Sequence, residues 1–198
     1  MTGPSDGELL AATVCGDADA YATLFRRHVG AVTGFALRRV RNAHEAADLV
    51  GDTFLVALEA APRYREELPT ALPWLLGIAR RLWMGQMRRD HRMERLRSRV
   101  GGSMPHFHSA EEDDVVAAID ASRQRPEIEA ALKLLSCGER DVLELVALHG
   151  LSPQEAAMTL EVSANAARLR LSRARRRMRS MIGSGHPPLD WAMEAELA

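Results

Sequence analysis

The sequence predicts an all-α protein made of two small helical domains joined by a flexible linker. Strand-like alternation is nearly absent, whereas apolar residues recur at helical spacing, as at Tyr21, Leu24, Phe25, Val29 and Val32. The 198 residues are enough for two modest helical cores. Breaks in the apolar pattern predict domains at 1–90 and 126–182, a linker at 91–125 and a C-terminal tail at 183–198.

Three helices are expected in the N-terminal domain. The first spans about 17–41, and the second spans about 42–60, where Asn42 and Glu45 form the pattern of a capping box. Pro62 ends this helix, and a polar loop leads to a third helix at about 73–89.

The linker is predicted from glycine and proline residues and an acidic run at 111–114 that interrupt the apolar stripe. Two further capping boxes follow it, at 136–139 and 152–155, and Pro153 takes the favoured first helical position. Three or four short helices are therefore expected in the C-terminal domain.

The residues from 151 to 179 are typical of a helix-turn-helix. Small residues such as Ala156 and Ala167 let two helices cross closely, and we place Leu169 and Leu171 with them at the crossing. Val162 is expected in the turn and Ser163 at the N-cap of the second helix, which this motif sets into the DNA major groove.

Charge is distributed unevenly along the chain although the formal net charge is only −1. Arginine supplies 25 of the 26 basic residues, and seven arginines with no acid lie between Ser163 and Met181. Such a run favours DNA over the alternative, a solvated amphipathic surface helix, because like charges repel unless a polyanion neutralises them.

A second basic element lies in the N-terminal domain, where Arg80, Arg81, Arg88 and Arg89 share a predicted helix with two tryptophans. Aromatic side chains beside arginines suit stacking on unpaired bases, while the alternative for each tryptophan is a place in the core.

The cysteine and histidine pattern argues against several other classes of protein. Cys15 and Cys137 lie far apart and outside any metal-ligand spacing, so we expect no disulfide, metal or cofactor, and a cytoplasmic protein. No apolar run reaches the roughly 20 residues that a membrane span needs. The scattered histidines give no catalytic constellation, so an enzyme is not expected.

Four motifs in order carry a family resemblance. They are DLVGDTFL at 48–55, PWLLGIAR at 73–80 followed by Arg88 and Arg89, GLSPQEAA at 150–157 and RLSRAR at 170–175. Together they resemble the extracytoplasmic-function group of sigma-70 RNA polymerase sigma factors, in which region 2 precedes region 4.

The resemblance implies that the chain directs core RNA polymerase to promoters, with region 2 on the largest-subunit clamp and region 4 also touching the flap. The implied clamp contacts are Asp48, Leu49, Asp52 and Phe54. The implied minus-ten residues, which capture a flipped base and melt the duplex, are Arg63, Tyr64, Arg65, Trp74, Arg80, Arg81, Arg88 and Arg89. The implied minus-35 residues are Ser163, Asn165, Arg168, Arg170, Arg173 and Arg176.

The chain departs from the family pattern at Gly51 on the clamp-binding helix, so that contact is expected to be missing or remade. It also departs at Arg81, at Gly85 and at 165–167, so an unusual promoter sequence is expected. The resemblance also implies control by an anti-sigma protein. The acidic run at 111–114 is interpreted either as a nucleic-acid mimic within the polymerase or as a solvated spacer.

Two alternatives remain at this point. The first is a helix-turn-helix regulator that binds promoter DNA and never engages polymerase, which the motif at 48–55 disfavours. The second is an interaction module in which Cys15 or Cys137 senses the redox state.

Overall fold

Helices account for the regular structure of the computed structural model, which describes residues 3–40, 42–66, 68–99, 131–132 and 134–182. Within these residues no strand forms, in agreement with the predicted all-α class. The helices are α1 (Asp6–Val14), α2 (Ala18–Leu37), α3 (Ala43–Ala60), α4 (Leu72–Arg99), α5 (Cys137–His149), α6 (Pro153–Leu160) and α7 (Ala164–Ile182), with a 3-10 helix at Ala61–Arg63 after α3.

Local capping fixes most helix starts where the sequence predicts them. The Asn42 side chain accepts from the Glu45 backbone N–H at 2.8 Å, and Ser136 and Ser152 each form a full capping box with the glutamate three residues on. α2 ends at Leu37, four residues before the predicted end. α4 runs ten residues past the predicted end, so residues 91–99 are helical rather than part of an irregular linker.

The sequence reasoning missed α1, although Ser5 and Glu8 form a capping box at its start. Asp6 in its first turn is 2 % exposed and ties three parts of the N-terminal domain together. Its carboxylate accepts from the Ala71 backbone N–H and His28 Nε2, both at 2.7 Å, and from Thr70 Oγ1 at 3.1 Å. Arg27 donates to the second carboxylate oxygen. The first helix is therefore anchored to α2 and to the segment that opens α4.

The core of the N-terminal domain is formed by the inward faces of α1 to α4. Its fully buried side chains include Leu24, Phe35, Leu49 and Leu75. The described part of the C-terminal domain contains α5, α6 and α7, in which Val142, Leu145, Ala156 and Leu171 are buried.

The two domains pack against each other along α4 and α6. Thr159 is 2 % exposed, and its hydroxyl donates to the Pro73 carbonyl at 3.0 Å. A Cβ on Gly77 would lie 3.7 Å from the Thr159 carbonyl oxygen, so the absence of a side chain at this position permits the close approach of the two helices. The domains thus form one continuous set of contacts, which the sequence did not predict.

Candidate nucleic-acid interface

The turn between α6 and α7 has the geometry of a helix-turn-helix. Glu161 adopts the left-handed conformation at φ 55°, and the Val162 N–H donates to the Ala157 carbonyl at 3.0 Å. Ser163 accepts from the Ala166 N–H at 3.2 Å, which confirms the predicted N-cap. These bonds close the turn that leads into α7.

Small residues form the crossing of α6 and α7, as predicted. Ala156, Ala157, Ala167 and Leu171 are all buried there. Leu169 is 49 % exposed, so its predicted place at the crossing is wrong. Leu169 lies two positions before the buried Leu171, which is about 200° around the helix at 100° per residue. It therefore falls on the outer face of α7.

The outer face of α7 carries most of the predicted minus-35 residues. Ser163, Asn165, Arg168, Arg173 and Arg176 are exposed. Arg170 is half-buried, and its guanidinium lies 3.4 Å from the position of a Cβ on Gly138. These five exposed side chains all carry hydrogen-bonding groups and none is an acid, which suits a groove lined by phosphates.

Arg177 has a structural partner that separates it from this face. Its guanidinium lies 2.7 Å from Glu139, the capping residue of α5, which is 5 % exposed. Burial raises the pKa of Glu139, but hydrogen bonds from Ser136 and the charges of Arg177 and Arg173 outweigh that effect and lower it below its ordinary value. This ion pair therefore fixes α7 against α5.

Five of the eight predicted minus-ten residues line a cavity of about 250 Å³, namely Arg63, Tyr64, Arg65, Trp74 and Arg81. Tyr64 and Trp74 form its aromatic wall, with ring centroids 4.9 Å apart and planes tilted by 59°. Arg63 and Arg65 are exposed at its rim. From the C-terminal domain, Met158 and Glu161 close the far side.

The four arginines of α4 differ in their surroundings. Arg81 pairs with Glu161 at 2.9 Å, and Arg80 lies 3.6 Å from Asp141, so both face the C-terminal domain. Arg88 and Arg89 are exposed farther along the helix. Trp83 is half-buried, and its indole N–H donates to the Arg39 carbonyl at 3.1 Å.

The helix predicted to bind polymerase, α3, divides into a buried and an exposed face. Leu49 is 0 % and Phe54 is 3 % exposed, so both belong to the core of the domain, and their assignment as contact residues stays a prediction. Asp48 and Asp52 are exposed, and so is Leu55, at 62 %. Asp52 follows Asp48 by four residues and Leu55 follows Asp52 by three, so the three side chains lie on one face of α3. A helical projection of 48–55 would have revealed this division.

Two further searches concern other kinds of site. Among the described residues, no three histidine, cysteine or acidic side chains cluster as metal ligands would. In the same part of the chain, none of the helices combines the length and the apolar composition that a membrane span requires.

Family models match both halves of the chain. The model of sigma-70 region 2 matches residues 24–93, and that of sigma-70 region 4 matches residues 125–178. The chain is 33 % identical over 168 residues to the RNA polymerase sigma factor CarQ of Myxococcus xanthus, covering 85 % of this chain and 92 % of CarQ.

The chain belongs to the extracytoplasmic-function sigma factors of the sigma-70 family. It is also 29 % identical over 182 residues to the ECF sigma factor SigM of Mycobacterium tuberculosis, covering 90 % of this chain and 85 % of SigM. As an RNA polymerase sigma factor it directs polymerase to specific promoters in transcription initiation, which disfavours the alternative of a separate DNA-binding regulator.

Solved structures share the arrangement of the sigma factor. CnrH in complex with the cytosolic domain of CnrY has a TM-score of 0.62 and 25 % identity, and covers 92 % of this chain and 100 % of CnrH; CnrH is a sigma factor of Cupriavidus metallidurans. RpoE of Bartonella quintana, in complex with the anti-sigma factor NepR, shares the fold at a TM-score of 0.62 and 22 % identity, covering 84 % of this chain and 98 % of RpoE.

Proposed function

We propose that this sigma factor contacts core RNA polymerase through the exposed face of α3 and promoter DNA through two separate surfaces, catalysing no reaction itself. Its place is then the cytoplasm, where polymerase and DNA are. The observation that carries the proposal is that one chain presents an acidic and apolar helix face together with two arginine-rich surfaces.

The polymerase surface consists of Asp48, Asp52 and Leu55. Leu55 is a large apolar side chain at 62 % exposure, one helical turn beyond Asp52, and an exposed apolar side chain beside carboxylates is typical of a protein-interaction site. We assign this face to the largest-subunit clamp, and the flap to the C-terminal domain. Leu49 and Phe54 support the face from below by fixing α3 in the core.

The minus-35 surface is the outer face of α7. Arg168 and Asn165 lie within its first two turns, the part of a recognition helix that reaches base edges. Arginine pairs bidentately with guanine and asparagine with adenine, so these two residues are assigned to base reading. Arg173 and Arg176, farther along, are assigned to phosphates, and Ser163 both caps the helix and reaches the backbone.

The minus-ten surface is the cavity beside Tyr64 and Trp74. A base extruded from the duplex can stack on these rings, and each stacked base contributes about 1–3 kcal/mol, enough to offset the few kcal/mol of unstacking. Arg63 and Arg65 at the rim, and Arg80, Arg81, Arg88 and Arg89 along α4, are assigned to the phosphates of the unpaired strand.

Anti-sigma control is part of the proposal. The structural relative RpoE is held by the anti-sigma factor NepR in its complex. We propose that a protein of this kind binds the present chain when transcription from its promoters is off. The acidic run at 111–114, which lies outside the described residues, keeps both of its interpretations.

The test is transcription of genomic DNA fragments by core polymerase with the purified chain, followed by sequencing of the transcript 5′ ends. New start sites behind a shared pair of upstream elements are expected. Asp48→Arg should abolish assembly with core polymerase, while Asp19→Arg, the same charge change at an exposed site on α2, should assemble normally. Binding of DNA without any new start site would instead favour the separate regulator.

A further inference from the structure

Arginines of the N-terminal domain meet carboxylates of the C-terminal domain at the domain interface. The Arg39 side chain is 5 % exposed and contacts Asp141 at 3.1 Å and Glu144 at 3.0 Å, both on α5. Arg80 shares Asp141 at 3.6 Å. The interface therefore pairs two cations of one domain with two anions of the other.

Aromatic side chains of the N-terminal domain flank the Arg39 guanidinium. The guanidinium carbon lies 3.7 Å from the centroid of the Phe35 ring and 5.7 Å from that of Trp83. The Trp83 indole in turn donates to the Arg39 carbonyl. The two carboxylates come from the other domain, and Arg39 Nε is buried without a hydrogen-bond partner among the described residues. If α5 moved away, an oriented guanidinium without its anions would be left on an aromatic surface.

We propose that Arg39 and Arg80 form a binding site for the backbone phosphates of the promoter strand. Asp141 and Glu144 occupy this site when the two domains are in contact, as they are in this structure, which is called the closed chain below. The inference rests on the proposed function of α4 in minus-ten binding and extends that surface to the turn that follows α2. Carboxylates and phosphates suit the same arginine geometry, because both accept two parallel N–H donors. Glu161 forms an ion pair with Arg81 in the same manner, at an exposed edge of the interface.

Simultaneous contact with both promoter elements requires the closed interface to separate. The elements are named for positions about 25 base pairs apart, which is roughly 85 Å at 3.4 Å per base pair. In the closed chain, α4 and α6 are in contact through Thr159 and Pro73. The 31 residues between Arg99 and Ala131 reach roughly 100 Å when fully extended, so the chain is long enough to span both elements.

Opening can be measured with the two native cysteines, which are both exposed and lie one in each domain. Donor and acceptor dyes on Cys15 and Cys137 report the domain separation by energy transfer. Asp141→Asn combined with Glu144→Gln should lower the transfer efficiency, because Arg39 loses both anions. The matched control, Asp19→Asn with Glu59→Gln, removes two exposed acids from the N-terminal domain and should leave the efficiency unchanged.

The phosphate site is tested by the salt dependence of binding to a labelled single-stranded 20-nucleotide DNA of mixed sequence. Each cation that engages a phosphate adds about 0.7 to the slope of log affinity against log salt. The Asp141→Asn/Glu144→Gln variant should therefore exceed both the wild type and the matched control by about 1.4 in slope. In that background, Arg39→Gln should lower the slope by about 0.7. This is equivalent to about a 2.6-fold smaller loss of affinity between 50 and 200 mM salt. Arg39→Lys keeps the charge and should leave the slope unchanged.

Equal slopes for the acid-free variant and the matched control would overturn the phosphate site, as would equal slopes for Arg39→Gln and Arg39→Lys. The transcription test is independent of this result. Promoter-specific transcripts together with unchanged slopes would remove the phosphate site and keep the proposed function. Changed slopes without any promoter-specific transcript would remove the proposed function and keep the anion site.

Discussion

Replacing Asp6 with alanine should destabilise the N-terminal domain by about 3–5 kcal/mol, because it removes one member of a buried, hydrogen-bonded charge cluster. The Ala71 N–H and His28 Nε2 both bond to Asp6 at 2.7 Å. Ala71 is 0 % and His28 is 5 % exposed, so neither group can regain a full set of water partners. An unsatisfied buried donor costs about 1–3 kcal/mol, so two such donors cost about 2–6 kcal/mol, a range that contains the expected loss. The Arg27 side chain is 38 % exposed and can return to water, so it adds little.

Urea unfolding followed by tryptophan fluorescence measures this loss. A Trp191→Phe background leaves only Trp74 and Trp83, both on α4, which opens at the segment bonded to Asp6. The midpoint should fall at an unchanged slope against denaturant. Asp19→Asn, at an exposed position, is the control and should change stability by less than about 0.5 kcal/mol. A loss for Asp6→Ala below about 1 kcal/mol would refute the assignment of the cluster as an anchor.

The Asp6 carboxylate also makes the stability of the N-terminal domain depend on pH. Burial raises the pKa of Asp6, but the Ala71 N–H, the charge of His28 and the hydrogen bonds from Arg27 and His28 outweigh it and lower the pKa below its ordinary value. A lowered folded-state pKa means that the unfolded chain binds the proton more readily. The contribution of Asp6 is therefore complete above the ordinary carboxyl range and is lost as pH falls through the folded-state pKa; Asp6→Asn should flatten this acid limb.

Three further predictions concern the interfaces. Gly77→Leu should lower energy transfer between dyes on Cys15 and Cys137, because its side chain would displace α6, whereas Gly77→Ala should not, since its Cβ would be at ordinary contact distance from Thr159. Burial and the charges of Arg38 and Arg39 lower the pKa of His149 to about 4. Contact between the domains, followed by the same energy transfer, should therefore weaken as pH falls from about 6.5 towards 4 and should not change above about 6.5. His149→Gln should remove the part of this pH dependence that lies above pH 5, and an unchanged profile would exclude His149 as its cause. Arg168→Ala should cost about 1–3 kcal/mol of duplex binding and relax base preference at one or two positions, whereas an equal loss on every sequence would reassign Arg168 to phosphate contact.

The helix-turn-helix and most helix starts could be predicted from the sequence because their determinants are local. A capping box joins residues three apart, as Ser152 and Glu155 do, and the turn before α7 depends on Glu161 to Ser163. The order of the motifs likewise sufficed to identify the family before the fold was known. The end of α4 was misplaced, because polar residues after His91 interrupt the apolar stripe without preventing helix formation.

The sequence motifs did not show which residues of a helix are buried and which are exposed. Leu49 and Phe54 stand in the family motif beside Asp48 and Asp52, yet they point into the core. Motif membership does not distinguish a contact residue from the core residue that supports it, whereas the 100° turn per residue does. Leu169 shows the reverse case, since an apolar residue was assigned to the interior and lies on the surface.

The sequence by itself determined the helical class, the capping sites, the two arginine-rich elements and the family. Only the tertiary structure decided how these parts meet. Asp6 bonds to Ala71 across 65 positions, Thr159 to Pro73 across 86 and Arg39 to Asp141 across 102. Pairs this distant leave no periodic signal in the chain, because each depends on the packing of whole helices rather than on neighbouring residues. Which arginines are available to DNA in the closed chain is therefore a property of the fold.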